Sequence, residues 1–148
     1  GVLSRVSGLF SRRGYNIDSL TVGVTEDPKY SRMTVAVSGD DQILEQIEKQ
    51  LSKLIDVIEI KELQDGESVC RELILLKVEV SAEKRPQVIA VVDIFRSKVV
   101  DVSHNSMMIE LTGNQVKLDA FIGLIEGLKI KELVRTGIAG LARGSLDL

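Results

Sequence analysis

The 148-residue chain predicts an α+β fold in which a single β-α-β-β-α-β unit occurs twice. Three observations predict it. Apolar residues recur every three or four positions in several stretches, as on one face of a helix. Between those stretches apolar and polar residues alternate, as in strands with one solvated face. The order of the stretches then repeats: helix, strand, strand, helix, strand up to residue 63, and strand, helix, strand, strand, helix, strand after residue 68.

The chain opens on GVLSRVSGLFSRRGYNIDSL. Val2, Leu3, Val6, Leu9 and Phe10 form an apolar stripe opposite Ser4, Arg5, Ser7, Ser11 and Arg12. Gly14 supplies the left-handed cap that ends the helix. Leu20, Val22 and Val24 alternate as one strand, EDPKY gives turn chemistry, and Met33, Val35 and Val37 line a second strand. SGDDQ breaks that strand and offers Asp40 or Asp41 as an N-cap. The helix that follows carries Ile43, Leu44, Ile47, Leu51, Leu54 and Ile55, supported by a Glu45–Lys49 pair at i,i+4 spacing. VIEIKEL, Val57 to Leu63, reads as the closing strand. Such a unit begins on a strand, and this one begins on a helix, so its first strand is expected to lie before Gly1.

Gln64 to Ser68 is the most linker-like stretch, placing one domain at 1–64 and a second at 69–148. Glu72 to Val80 reads as a strand buried on both faces at its start. Pro86 suits the first turn of a helix with Val88, Ile89, Val92 and Phe95. SKVVDVS and SMMIELTG are two strands joined around His104-Asn105. A helix with Val116, Phe121, Ile122, Ile125 and Leu128 follows, and KIKELVRT is the last strand. Two ferredoxin-like domains in tandem account for this order.

Composition narrows the function. Net charge of −3 argues against nonspecific nucleic-acid binding, which needs clustered cations against phosphate. Aromatic residues are 3% of the chain, too few for a base-stacking platform. The longest apolar runs are too short to span a bilayer. One cysteine, Cys70, leaves no intramolecular disulfide, and with one histidine a zinc site would have to be built mostly from carboxylates, so no metal is expected.

No catalytic constellation emerges. His104 sits in a turn with Ser103, Asn105 and Ser106, where neighbours rarely face one another productively. Cys70 has no CxxC partner and reads equally as a structural thiol. TGIAGLARG, Thr136 to Gly144, lacks the P-loop lysine and is either a flexible or a packing tail. Arg12 and Arg13 complement the dipole at a helix C-terminus. One feature favours a ligand: Gly1 stands at a helix N-terminus, where free amides attract a carboxylate and glycine permits close approach. Asn16 fits either turn chemistry or a polar contact.

Taken in order, GVLSRVSGLFSRRGYNIDSLTVGVTEDPKYSRMTV, LEQIEKQLSKLIDVIEI, FRSKVVDVS, KLDAFIGLIE and RTGIAGLARG resemble the small, regulatory subunit of acetohydroxyacid synthase, also called acetolactate synthase. The resemblance covers nearly the whole chain. It implies an N-terminal ACT domain, here without its first strand and the acidic loop after it, and a second ferredoxin-like domain. It further implies a subunit with no active site and no cofactor of its own. Such a subunit activates a catalytic large subunit carrying thiamine diphosphate, Mg²⁺ and FAD, and confers feedback inhibition by a branched-chain amino acid, valine foremost. ACT domains of this type form homodimers with the effector at the interface. By similarity, amides at Gly1, Val2 and Leu3 would take the effector carboxylate, and Asn16 and Ile17 would come from the partner chain. The resemblance implies a bacterial cytoplasm, or the plastid stroma for a plant or algal source. The competing expectations are an ACT-domain sensor governing another enzyme or transcription, and a small enzyme on the same scaffold.

Overall fold

In the computed structural model, which describes residues 1–144, α1 (Val2–Arg13) forms along the apolar stripe and ends where glycine permits. Gly14 has φ 71°, and the Tyr15 amide donates to the Phe10 carbonyl at 3.0 Å, closing the last turn. Strands β1 (Ile17–Val24) and β2 (Ser31–Val37) form an antiparallel hairpin with Leu20 opposite Val35 and Val22 opposite Met33. Its turn is tied by Thr25, whose amide donates to the Tyr30 carbonyl, and by Asp27, whose carboxylate accepts from the Lys29 amide. Helix α2 (Asp41–Ser52) starts on Asp40, which accepts from the Ile43 amide at 2.9 Å and so decides between the two aspartates offered by the sequence. The expected Lys49–Glu45 pair forms at 3.2 Å on the exposed face.

These elements share a small core. Val6, Phe10 and Ile47 are buried, with Tyr15, Ile17, Met33, Val35, Val37, Ile43, Leu51 and Leu54 packed around them. Phe10 and Tyr15 meet edge to face, their ring centres 5.8 Å apart.

Two expectations for this region are corrected. Helix α2 stops at Ser52, so Leu54 and Ile55 lie beyond it. The Leu54 amide donates to the Leu51 carbonyl and the Val57 amide to the Leu54 carbonyl, tightening the chain into turns that keep Leu54 on the core and leave Ile55 90% exposed. The segment 57–63, expected as a strand, joins no ladder among the described residues. The physical reason is visible in the second copy of the unit, whose last strand pairs with its own first strand. In the first copy no described strand occupies that position, so Val57 to Leu63 has nothing to pair with.

The second copy is complete. Strand β3 (Ser68–Glu79) leads to α3 (Arg85–Ile94), β4 (Lys98–Val102), β5 (Ser106–Gly113), α4 (Gln115–Ile125) and β6 (Ile130–Arg135). The sheet runs β4-β5-β3-β6, and the short β7 (Ala139–Ala142) pairs with β3. Pro86 lies in the first turn of α3, and Asn114 caps α4 by accepting from the Lys117 amide at 2.9 Å. Ile74, Leu76, Val78 and Val80 of β3 and its extension, with Met107, Ile109 and Leu111 of β5, bury against Val88, Val92, Leu118, Phe121 and Ile125. Val116 and Ile89, read as part of the apolar stripes, are exposed instead, because α3 and α4 use Val88 and Leu118 against the sheet. Phe95 and Leu128 fall just past their helices and still pack on this core.

The described residues divide into two compact units, Gly1–Val69 with 140–144, and Cys70–Ala139. The chain is α+β throughout, two β-α-β-β-α-β-like units.

At the base of the second unit Arg135 donates from Nε and Nη2 to one carboxylate oxygen of Glu72, at 3.0 and 2.6 Å. Glu72 is 7% exposed and the Arg135 side chain 33%. Arg135→Met should therefore strand a buried carboxylate and lower stability by about 2 kcal/mol, a figure reduced from that of a fully buried pair because the guanidinium is partly solvated. Lys49→Met, which opens an exposed helix pair, should cost less than about 0.5 kcal/mol. Urea unfolding followed by circular dichroism checks both, and equal losses would contradict the assignment.

Candidate functional site

The backbone at the start of α1 has amides that lie outside the helix ladder. Gly1 is the N-cap, no side chain caps the helix, and its first turn holds no acidic residue. The first bond closed by the helix runs from the Arg5 amide to the Gly1 carbonyl, so the amides of Val2, Leu3 and Ser4 precede the ladder. A side chain added at Gly1 would meet nothing within 4 Å, and Val2 and Leu3 are exposed. Arg12 and Arg13 occupy the opposite end and complement the dipole there. An anion is the ligand this arrangement suits.

Asn16 and Ile17 stand at the other end of the helix. With a rise of 1.5 Å per residue, Gly1 and Gly14 are about 20 Å apart along α1, so one chain cannot place all five sequence-selected residues around one small molecule. Gly1, Val2 and Leu3 come together; Asn16 and Ile17 form a second group. Ile17 packs on the core of the first unit, while Asn16 is exposed and donates from Nδ2 to Asp18 at 3.3 Å. The other oxygen of Asp18 accepts from the Ser38 hydroxyl at 2.5 Å. Asp18 and Ser38 thus orient Asn16. The Asn-x-Asp spacing could have pointed to Asp18, whereas Ser38 arrives from the end of β2 and leaves no local signal.

The remaining candidates are placed plainly. The Ser103 hydroxyl pairs with that of Ser106, and the backbone oxygens of Ser103 and His104 accept from Arg85 at 2.7 Å, so this turn is fastened as a structural corner. A groove of about 430 Å³ runs between α2 and Val57 to Ile60, lined by Glu45, Glu48 and Glu59 together with Lys49. Its three carboxylates disfavour an anionic ligand. Among the described residues no group of three or more His, Cys, Asp or Glu could hold a metal ion, and no helix is long and apolar enough to cross a membrane.

Residues 1–59 match the ACT domain of acetohydroxyacid synthase small subunits, and residues 71–144 match the small subunit of acetolactate synthase. The chain belongs to the acetolactate synthase small-subunit family. The small subunit of Mycobacterium bovis is 53% identical over 144 residues, covering 97% of this chain and 86% of that protein. The isozyme 3 small subunit of Escherichia coli is 50% identical over 145 residues, covering 97% and 89%. The crystal structure of the small subunit from Thermotoga maritima matches with a TM-score of 0.89 at 42% identity, over 97% of this chain and 89% of that one. Both units of the fold lie within the family match, and the first of them is an ACT domain.

If the N-terminus of α1 is electrostatically open, an acid placed there should stabilise the helix. Ser4 is exposed and lies in the first turn, so Ser4→Asp should raise stability by about 0.5 kcal/mol, an effect that shrinks with added salt. Thermal melts at two ionic strengths check this. Destabilisation at low salt would mean that the amides are already satisfied.

Proposed function

We propose that this chain is the regulatory subunit of an acetolactate synthase in branched-chain amino acid biosynthesis. It docks on a catalytic large subunit, which supplies thiamine diphosphate, Mg²⁺ and FAD, raises that subunit's activity and brings it under feedback inhibition by valine or a related amino acid. The support is family membership across both units, joined to the open N-terminus of α1 in the ACT domain.

In this reading the effector's carboxylate binds the amides of Gly1, Val2 and Leu3, and Asn16 and Ile17 of a second chain hold its other end. The distance of about 20 Å between the two groups supports a pocket shared by two chains. Strand β1 supports the same geometry. It pairs with β2, and Val22 and Val24 near its end are 48% and 70% exposed, an apolar surface suited to another copy. The expected state is at least a homodimer. A clean monomer at micromolar concentration in sedimentation would overturn it.

Gly1→Asp puts a like charge where the effector's carboxylate would sit, and Asn16→Ala removes a hydrogen bond to a charged ligand group, worth roughly tenfold in affinity. In the intact subunit mixed with the catalytic subunit, both variants should lose feedback inhibition and keep activation. Titrations with valine, leucine and isoleucine decide it. Unchanged inhibition in both variants places the effector elsewhere, and acetolactate formed by the isolated small subunit would overturn the regulatory reading.

A further inference from the structure

We propose that Asp18 is a positioning residue that fixes which end of the Asn16 amide faces the effector, so that Asn16 reads the effector's α-ammonium group. This rests on the reading above, in which Asn16 comes from the second chain. Asn16 donates from Nδ2 to one oxygen of Asp18 at 3.3 Å, and the Ser38 hydroxyl donates to the other at 2.5 Å. A side-chain amide can offer a ligand either its carbonyl oxygen or its NH₂, and its neighbours decide which. A carboxylate only accepts, so beside Asp18 the amide turns its nitrogen inward and its Oδ1 outward. Asn16 is exposed, and among the described residues no donor meets that oxygen.

The hairpin is irregular where Asp18 stands. Ile17 lies opposite Val37 and Ser19 opposite Ala36, so Asp18 is an extra residue with no counterpart on β2. A bulge of this kind bends its strand and re-aims the side chain it carries. It leaves Asp18 bonded to Asn16, which precedes β1, and to Ser38, which follows β2. Each oxygen of Asp18 thus has a donor, and the carboxylate is held on one side by Ser38 while it holds Asn16 on the other.

An amino acid brings two charged groups to such a site. Its carboxylate suits the amides at the start of α1, whereas beside Asp18 it would meet a like charge and an outward carbonyl oxygen. Its ammonium group has donors and no acceptor, and Oδ1 of Asn16 is the acceptor on offer. Asp18 adds an opposite charge behind that oxygen. The two ends of the effector are sorted by charge, carboxylate to one chain and ammonium to the other. A molecule of the same skeleton without the amino group, the corresponding 2-oxo acid included, loses one of the two chains and is rejected.

Calorimetric titration of the intact small subunit with valine, valinamide and isovalerate tests this. Valinamide keeps the ammonium group and loses the carboxylate, and isovalerate does the reverse. Wild type should bind valine roughly tenfold or more tightly than either. Asp18→Asn removes the charge and frees the Asn16 amide to turn either way, because an amide both donates and accepts. It should weaken valine and valinamide roughly tenfold and leave isovalerate unchanged, while Asp18→Glu, which keeps a carboxylate, recovers part of the loss. Unchanged valine binding in Asp18→Asn overturns the proposal. So does an equal loss for all three compounds, which marks damage to the fold and not to the ammonium contact. A wild type that binds none of valine, leucine and isoleucine removes the effector reading and the ammonium contact together. Valine binding that Asn16→Ala weakens and Asp18→Asn does not removes the role of Asp18 alone.

Discussion

A β-α-β-β-α-β unit is closed by one pairing, that of its last strand with its first, and the two halves of this chain differ in whether that pairing is made. In the second unit β3 is paired along both edges, with β5 on one side and β6 on the other. Every backbone group along its middle therefore has a partner, and its inward residues Ile74, Leu76 and Val78 sit at the centre of a continuous core. Helices α3 and α4 take their places from that face. In the first unit no described strand plays the part of β3. The hairpin β1–β2 is a two-stranded sheet, Val57 to Leu63 joins no ladder, and three buried residues form a core where the second unit has twelve. Phe10 and Ile47 still find one another because α1 and α2 pack together.

Most of this was legible in the sequence, for physical reasons that differ by element. Helix α1 and the hairpin are specified locally, by period, by Gly14 and by the Asp27-Pro28 turn, so tertiary context had little to alter. The end of α2 was not. Leu54 and Ile55 continue the apolar stripe, and nothing in their composition announces that the chain tightens into turns after Ser52. Val57 to Leu63 shows the opposite limit. Its alternation is that of a strand, but a strand is a relation between two segments, and alternation cannot supply the second. Val116 and Ile89 were misplaced because α3 and α4 are apolar over much of their circumference, which blurs the face that meets the sheet.

The candidate site divides in the same way. The open amides at Gly1 to Leu3 follow from helix geometry and from a first turn without acids, both readable from the letters. Asn16 was singled out, but the Asp18–Ser38 arrangement that orients it depends on the end of β2 lying beside the start of β1, a matter of register. Arg32 and Thr34 gave no signal at all. They look like the solvated face of a strand until distant Gly140 is brought alongside, its carbonyl accepting from Arg32 at 3.2 Å and its amide donating to the Thr34 hydroxyl at 3.4 Å.

That distant glycine also sets an order on biosynthesis. A chain made from its N-terminus acquires α1, the hairpin and α2 early, and these can collapse while later residues are still being added. The residues that Arg32 and Thr34 hold come from beyond position 139, after every strand and helix of the second unit has been made. Until then the outward face of β2 is bare and its polar side chains face water. Within this chain the first unit is begun before the second and receives its last contacts after it.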